Sequence, residues 1–189
     1  MEKIADFKGR MLNHVEAVYR PGERELAIEM AQALGLTVTD TGFRSAAGSP
    51  TFLAVHPCSD DCDPANNVFY VSEMTEEHQA LDKRLGELLG KDVELAAIVG
   101  AYTRKAVGNP SGIPHFGIRY RSFGEVQEVA KAVARLASKL AGRSLNFDLF
   151  KPKDATEPAV TQSFLYQDVI VAGPSALGQL IELQSHRPR

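Results

Sequence analysis

The sequence predicts an α+β fold built from two related β-α-β-β-β modules. Three observations lead to this prediction. The two halves of the chain show the same order of elements, and each half changes from strand-like to helix-like and back to strand-like apolar spacing. The length of 189 residues also suits one domain, or two small units that share a core.

The first module is expected to span residues 10–74. A strand-like run at its start precedes a charged amphipathic run, and three further short runs resemble strands, giving elements at 12–19, 20–35, 36–42, 51–57 and 67–73. In the amphipathic run one helical face carries Leu26, Met30, Ala33 and Leu34. Such a face would cover a sheet.

The second module, residues 112–185, repeats this order with elements at 113–120, 122–142, 145–150, 163–171 and 179–185. The apolar face of its helix carries Val126, Val129, Val133, Leu136 and Leu140. Ser122 and Glu125 have the spacing of a capping box, which predicts a helix start. The polar segment 151–161 contains two prolines and reads as a surface loop.

A connecting arm, residues 75–111, lies between the modules. Leucines at helical spacing predict one helix followed by a joint rich in Gly, Pro and Ser, the leucines being Leu81, Leu85, Leu88 and Leu89. This pattern suits either a cap over a cleft or a contact in a homodimer. The chain is accordingly expected to be a monomer or a homodimer.

Composition and charge exclude several classes of partner. The hydrophobic fraction of 44% and the charged fraction of 24% are globular values. A net charge of −3 argues against nucleic acid. No apolar stretch is long enough to span a membrane, and no secretory apolar region follows the N-terminus. Only two cysteines are present, so a disulfide framework is not expected, and we expect a cytoplasmic protein.

The segment 56–63 is rich in groups that ligate metals, with His56, Cys58, Cys62 and three aspartates. Structural zinc sites usually need two ligand pairs at characteristic spacing, whereas this segment offers one Cys-x₃-Cys group. We therefore interpret it as a solvated acidic turn with reduced thiols. Phosphate-binding loops, dinucleotide fingerprints and serine-hydrolase elbows do not occur in the sequence.

Three side chains stand out as metal-ligand candidates. Aligning the modules places His14 opposite His115, each at the start of a first strand. Glu182 interrupts an otherwise apolar last strand and therefore needs a polar surrounding or a partner. Two imidazoles and a carboxylate that converge would make an open site for a divalent metal. Two alternatives are a structural role for each histidine and a salt bridge from Glu182 to Arg119 or Arg121.

The strings NHVEAVY, PHFGIRY and GQLIELQ, set within paired β-α-β-β-β modules, resemble the vicinal oxygen chelate superfamily. This superfamily includes glyoxalase I, type I extradiol dioxygenases, methylmalonyl-CoA epimerase and bleomycin-resistance proteins. The resemblance implies that the sheets form an incomplete barrel around a metal-binding cleft. It also implies that His14, His115 and Glu182 ligate one divalent metal ion, with Fe²⁺ or Mn²⁺ favoured and Zn²⁺ or Ni²⁺ as alternatives.

The chain departs from the glyoxalase-type pattern at the last strand of the first module. Tyr70 takes the position that corresponds to Glu182, and Glu73 is expected to face the other side of the strand because neighbouring residues alternate. Three ligands without a fourth resemble the dioxygenase pattern. That pattern implies a tyrosine near the metal, for which Tyr70 and Tyr166 are candidates, and an acid–base histidine, for which His56 is the nearest candidate.

The resulting functional hypothesis is a metal-dependent, dioxygenase-like enzyme that acts on a small oxygenated substrate such as a catechol. The first alternative is a glyoxalase-type lyase or isomerase. The second is a non-catalytic protein of the same fold that sequesters a small molecule such as an antibiotic. Its apolar cleft would be lined by five aromatic side chains, those of Phe52, Phe69, Tyr70, Phe164 and Tyr166.

Overall fold

Two β-α-β-β-β units and a helical arm make up the computed structural model, which describes residues 13–41, 52–63, 67–140, 143, 145–149 and 160–186. The first unit contains β1 (His14–Tyr19), α1 (Arg24–Ala33), β2 (Thr37–Asp40), β3 (Leu53–His56) and β4 (Val68–Glu73). The arm contains α2 (Glu76–Leu89) and α3 (Val93–Gly108). The second unit contains β5 (His115–Tyr120), α4 (Phe123–Leu136), β6 (Asn146–Leu149), β7 (Val160–Gln167) and β8 (Gln179–His186).

Each unit forms its own four-stranded mixed sheet. The strand orders are β1-β4-β3-β2 and β5-β8-β7-β6, so the two sheets have identical topology. In each sheet the first strand runs parallel to the last, and the other neighbours are antiparallel. The sheets do not close into a barrel. The expected α+β fold with two β-α-β-β-β modules is confirmed.

The register of the two sheets makes Tyr70 and Glu182 equivalent, as the alignment of the halves predicts. His14 and His115 are the first residues of β1 and β5. Two residues later, Glu16 pairs with Tyr70 in one sheet, and Gly117 pairs with Glu182 in the other. Glu73 alternates with Tyr70 on β4 and, at the far end of β1, its carboxylate accepts a hydrogen bond from the amide of Gly22 at 3.4 Å.

The two modules share one hydrophobic core. Helices α1 and α4 both contribute buried side chains to it, together with one face of each sheet. All five residues of the predicted α4 stripe are buried. The buried face of α1 is shifted relative to the prediction, because Ala27, Met30, Ala31 and Leu34 are buried whereas Leu26 lies at the margin.

The start of α4 shows why the sequence forms a helix there. The amide of Glu125 donates to the Ser122 hydroxyl at 3.2 Å, and the Glu125 carboxylate accepts from the amide of Arg121 at 2.8 Å. These contacts satisfy amides that an α-helix leaves unpaired at its first turn. The predicted capping residues therefore fix the point at which β5 turns into α4.

The arm contains two helices, so the prediction of one helix and a joint was incomplete. Thr75 caps α2 and Asp92 caps α3, each by accepting an amide hydrogen bond from the third residue beyond it. Apolar spacing does not predict helix α3, because its sequence, VELAAIVGAYTRKAVG, is apolar on most sides and lacks one distinct apolar face. No helix in the described part of the chain is long and apolar enough to cross a bilayer.

Helix α3 lies against the second sheet. Ala106 is fully buried there and belongs to a small apolar cluster with Tyr166 and Leu180. The hydroxyl of Thr103 lies 3.3 Å from the phenol oxygen of Tyr166. The arm therefore covers part of the sheet face that carries Glu182 as well as linking the two modules.

Strand β7 is displaced from its prediction, since it covers 160–167 rather than 163–171. The Gln167 side chain accepts hydrogen bonds from the amides of Val169 and Ile170, which turns the chain out of the sheet. Val171 then pairs with Val18 of β1 through two backbone hydrogen bonds of 2.8 and 3.0 Å. Most of the predicted loop 151–161, and the first residues of the first module, lie outside the described residues.

An ion-pair network joins both modules and the arm. Arg143 donates to the Asp168 carboxylate at 2.9 Å and to Glu23 at 2.7 Å. Arg20 contacts Asp168 at 3.1 Å and lies 3.7 Å from Asp82 of α2. These side chains are 13–27% exposed, so the network is partly shielded from water.

Candidate functional site

A cavity of about 590 Å³ opens between the modules, where β1 and β5 begin. His14 and His115 both line it, as do the first residues of β4 and the segment that follows β3. These strands belong to the two different sheets, and each begins with its histidine at this opening. The cavity therefore brings the two equivalent histidines to the same opening.

His115 contacts oxygen atoms through both of its ring nitrogens. Nδ1 lies 2.7 Å from the carbonyl oxygen of Ile113, and Nε2 lies 3.2 Å from Oε2 of Glu182. A carbonyl oxygen only accepts hydrogen bonds, so Nδ1 carries a hydrogen atom. In a neutral ring the lone pair is then on Nε2, which faces Glu182.

Glu182 is buried, with 6% of its surface exposed. Besides His115, its carboxylate accepts hydrogen bonds from the side-chain amides of Gln162 and Gln184, the second at 2.6 Å. Its partners are thus a histidine and two amides, and the alternative of a salt bridge to Arg119 or Arg121 does not apply. These partners supply the hydrogen bonds that a buried carboxylate needs, and they explain why an acidic residue lies within an apolar strand.

The 3.2 Å contact between Nε2 of His115 and Oε2 of Glu182 needs a hydrogen atom or a metal cation between the two atoms. A neutral ring with its lone pair on Nε2 would place that lone pair against the lone pairs of an ionised carboxylate, which is repulsive. A proton or a metal cation at this point removes the repulsion. The pair can therefore share a proton or supply two ligands to a cation, and burial of Glu182 strengthens either interaction.

His14 shows a similar arrangement at the end of the first sheet. Its Nδ1 lies 2.7 Å from Oδ1 of Asn13, which leaves the lone pair of a neutral ring on Nε2. Its ring centroid lies 4.9 Å from that of Tyr70. Neighbouring oxygens thus orient both histidines, although they belong to different modules.

The predicted metal ligands are brought together only in part. His115 and Glu182 are in contact, and two ligands of one ion commonly lie about 3 Å apart. His14 shares a cavity with His115, but the described residues contain no group of three His, Cys, Asp or Glu side chains placed to hold an ion. The structure thus brings two of the three predicted ligands into contact, and metal ligation by all three stays a prediction.

The predicted acid–base residues lie in three different surroundings. Tyr70 lies beside His14 and packs edge-on against Phe52. Tyr166 is buried beneath α3, where its hydroxyl donates to the carbonyl of Leu177. Burial raises the pKa of the Tyr166 phenol, so this group keeps its proton in the neutral range. Tyr70 is thus in ring contact with one predicted ligand, and Tyr166 lines a cavity together with another, His115.

His56 is almost fully buried, at 1% exposure, and lies at the end of β3. Neither ring nitrogen has a hydrogen-bond partner in the described part of the chain. Burial lowers the pKa of His56, an effect that the charges of Asp61 and Asp63 partly oppose. The cavity wall next to it is formed by Pro57 and Cys58, so the structure does not bring His56 to the opening that His14 and His115 share.

The aromatic side chains proposed to line one cleft are distributed over several places. Phe69 faces the cavity and packs against Phe116, with ring centroids 5.0 Å apart. Phe164 lines a second cavity of about 470 Å³, together with His115 and Glu182. His115 thus lines both cavities, whereas Glu182 lines the second one. Cys58 and Cys62 are free thiols.

Four polar side chains that belong to the site were not predicted from the sequence. Asn13 orients His14, and Gln162 and Gln184 donate to Glu182. Arg119 lines the same cavity as the two histidines. Strand alternation predicts two of these positions. Gln184 lies two residues from Glu182, and Arg119 lies four residues from His115, so each shares a strand face with its predicted site residue. Gln162 is brought in by a different strand, which alternation within one strand does not reveal.

Comparison with known proteins gives similarities in structure only. No protein-family model and no curated protein matches the chain. Three solved structures are similar. A Pseudomonas aeruginosa protein is 10% identical, with 95% of this chain and 100% of that chain covered and a TM-score of 0.42. A hypothetical S. aureus protein is 8% identical, with 93% and 92% covered and a TM-score of 0.40.

The third is described as a glyoxalase/bleomycin resistance protein/dioxygenase from Alicyclobacillus acidocaldarius. It is 14% identical, with 93% of this chain and 91% of that chain covered and a TM-score of 0.42. The assignment of the fold rests on the strand order of the chain itself. That order is the paired β-α-β-β-β architecture expected from the resemblance to the vicinal oxygen chelate superfamily.

Proposed function

We propose that this protein is an enzyme that acts on a small oxygenated molecule, with the His115–Glu182 pair as its reactive centre and a divalent metal ion as its cofactor. The observation that carries the proposal is the contact between Nε2 of His115 and the buried carboxylate of Glu182. A proton or a metal cation can occupy this contact, and His115 also lines a cavity large enough for a small molecule.

His115 and Glu182 would hold the ion, and His14 would complete the set from the other module. Such an ion acts as a Lewis acid toward oxygen atoms of a bound substrate. The proposal leaves four ions open, which are Fe²⁺, Mn²⁺, Zn²⁺ and Ni²⁺. The ion that is found would decide between dioxygenase chemistry and lyase or isomerase chemistry. The dioxygenase version is favoured by Tyr70, which stands where a fourth carboxylate ligand would otherwise be.

The residues of the chain itself perform three tasks in this proposal. The carbonyl of Ile113 keeps Nε2 of His115 directed at Glu182 and the cavity. Gln162 and Gln184 fix the carboxylate, so that it needs no rearrangement when charge develops. Tyr70 borders the His14 ring and is placed to exchange a proton with a hydroxyl group held next to that histidine.

A second candidate function is binding without turnover. It is favoured by a specific observation, since Glu182 already has three hydrogen-bonding partners, which stabilise the carboxylate without a metal ion when His115 is protonated. In this case the cavity would sequester its ligand, with Phe69 and Phe116 supplying apolar contact.

The test is elemental analysis of protein purified without a chelator or histidine tag, before and after addition of Fe²⁺, Mn²⁺, Ni²⁺ or Zn²⁺. We expect about one ion per chain, with loss in His115→Ala and Glu182→Gln. The matched controls His78→Ala and Glu128→Gln remove the same chemical groups from helices α2 and α4 and should retain the ion. Circular dichroism checks that each variant is folded.

Three results would contradict the proposal or a part of it. Failure of the folded wild-type protein to bind any of the four ions would exclude the metal-dependent enzyme and favour the binding protein. Retention of the ion by His14→Ala at unchanged affinity would exclude His14 as a ligand while leaving the His115–Glu182 pair as the centre. Loss in the control variants as well would show that the ion binds elsewhere.

A further inference from the structure

We propose that the cavity between the modules selects ligands that carry a carboxylate, and that Arg119 binds this group. The proposal rests on the proposed function, because it takes the same cavity as the ligand site, and it adds the chemical class of the ligand. It is carried by the position of Arg119, by the charges that line the cavity and by the space between Arg119 and His115.

Arg119 lies on the same face of β5 as His115. The two residues are separated by four positions, with Gly117 between them, and alternate residues of a strand face the same side. At about 3.3 Å per residue, their Cα atoms are roughly 13 Å apart. Gly117 has no side chain in this interval, so the floor between the guanidinium and His115 is bordered by Glu182 of the neighbouring strand, whose Oε2 would lie 3.5 Å from a Cβ added at Gly117.

The charges around this floor favour an anion. The described residues that line the cavity include His14, His115 and Arg119 but no aspartate or glutamate. Arg119 is the permanent cation among them, because a guanidinium keeps its charge at all ordinary pH values. Glu182 lies on the same face of the sheet as these residues, but it does not line this cavity.

Arg119 has no competing partner in the described part of the chain. It is exposed and forms no ion pair or side-chain hydrogen bond there, whereas Arg20, Arg24, Arg84 and Arg143 all form ion pairs with carboxylates. A guanidinium without a protein partner at a cavity wall is free to bind a planar carboxylate through two parallel hydrogen bonds.

Beyond Arg119 the cavity is continued by another of about 660 Å³. The two share Pro57, Cys58, Ile118 and Arg119, so Arg119 stands where they meet. A ligand with an aromatic ring can thus place one end near His115 and its carboxylate near Arg119. Any part of the ligand beyond the carboxylate would extend into this cavity of about 660 Å³.

The test compares two probes of nearly equal shape, 4-hydroxybenzoate and 4-hydroxybenzamide, by isothermal titration calorimetry at low salt. The wild-type protein should bind the carboxylate about tenfold or more tightly than the amide, in line with a charge-assisted hydrogen bond. Arg119→Gln should abolish this preference without changing affinity for the amide, and Arg119→Lys should retain part of it. The matched control Arg135→Gln removes an exposed arginine of α4 and should keep the full preference.

Equal affinity of the wild-type protein for both probes, or binding of neither, would overturn the proposal. An equal loss of preference in Arg135→Gln would also overturn it, because general attraction by net charge would then explain the selectivity. Metal content is measured on the same samples. A carboxylate preference without any bound ion contradicts only the metal-dependent enzyme, and a bound ion without the preference contradicts only the role of Arg119.

Discussion

The ring of Tyr166 occupies the space that a side chain at residue 178 would need. A Cβ built on Gly178 would overlap Cζ and the hydroxyl oxygen of Tyr166, and Gly178 has a φ of +66°, which favours glycine. The phenol hydroxyl also donates to the carbonyl of Leu177, one residue earlier. The turn into β8 is therefore built around this ring, and β8 carries Glu182.

Gly178→Ala should destabilise the protein by about 2–4 kcal/mol, because it adds steric overlap to an unfavourable backbone conformation. Urea unfolding followed by circular dichroism measures the change. The control is Gly173→Ala, since a Cβ at Gly173 meets nothing within 4 Å. Equal effects of the two substitutions would show that Tyr166 does not restrict residue 178.

Two tyrosines in equivalent positions should respond differently to loss of the hydroxyl group. Tyr120 ends β5 and donates to the carbonyl of Leu34 at 2.8 Å, whereas the buried Tyr19 hydroxyl, at the end of β1, has no partner among the described residues. Tyr120→Phe should cost about 1–2 kcal/mol of unfolding free energy, and Tyr19→Phe should be neutral or stabilising.

Thermal and urea unfolding of both phenylalanine variants measure this difference, and each serves as the control for the other. Burial raises the pKa of both phenols, so neither ionises in the neutral range and the comparison does not depend on charge. A destabilisation of Tyr19→Phe as large as that of Tyr120→Phe would contradict the assignment of hydrogen-bond partners.

His56 should make the folded state sensitive to acid. Its pKa in the folded chain is below the ordinary 6.5, so the unfolded chain binds more protons between the lowered pKa and 6.5. The contribution of His56 is therefore favourable above pH 6.5 and is lost as the pH falls through this window. Unfolding free energies measured from pH 7.5 to 5 should decline less steeply in His56→Leu than in the wild-type protein.

The leucine variant should also be at least as stable as the wild type at pH 7.5, because it removes buried nitrogens that lack partners in the described chain. His78→Gln, a substitution in helix α2, is the control for losing one histidine. Identical pH profiles of the wild-type protein and His56→Leu would show that His56 is not held neutral in the folded state.

The partly buried network around Asp168 should stabilise the protein more than an exposed ion pair does. Arg143→Met should cost about 2 kcal/mol, since it leaves Asp168 and Glu23 with fewer partners in a shielded place. The control Lys131→Met breaks an exposed pair with Glu128 and should cost no more than about 0.5 kcal/mol. Urea unfolding at low salt distinguishes the two, and equal costs would contradict shielding of the network.

The sequence predicts the fold well where one face of an element decides its position. The α4 stripe from Val126 to Leu140 is buried as expected because its spacing follows the helical period closely. The arm helix α3 has no such stripe, and its packing depends on where Tyr166 and Leu180 lie. Periodicity contains no information about a surface that only the folded sheet creates.

The candidate site shows the same limit at the level of single residues. Alternation on β8 predicts that Glu182 faces a polar side, and strand pairing then places it opposite Gly117, two residues from His115 on the same face. The carbonyl of Ile113 and the amide of Gln162 complete the pair, and both come from segments whose approach depends on three-dimensional packing. Residue types and order thus indicate the candidates, whereas contacts between distant strands determine their partners.

The backbone bridge between Val18 and Val171 ties a strand of the first sheet to a loop of the second module. Both of its hydrogen bonds must break before these two segments can move apart. The modules are therefore coupled through the main chain as well as through their shared hydrophobic core. Side-chain packing alone would suffice to hold two repeated modules together, and this bridge adds a directional tie that fixes the register of one module against the other.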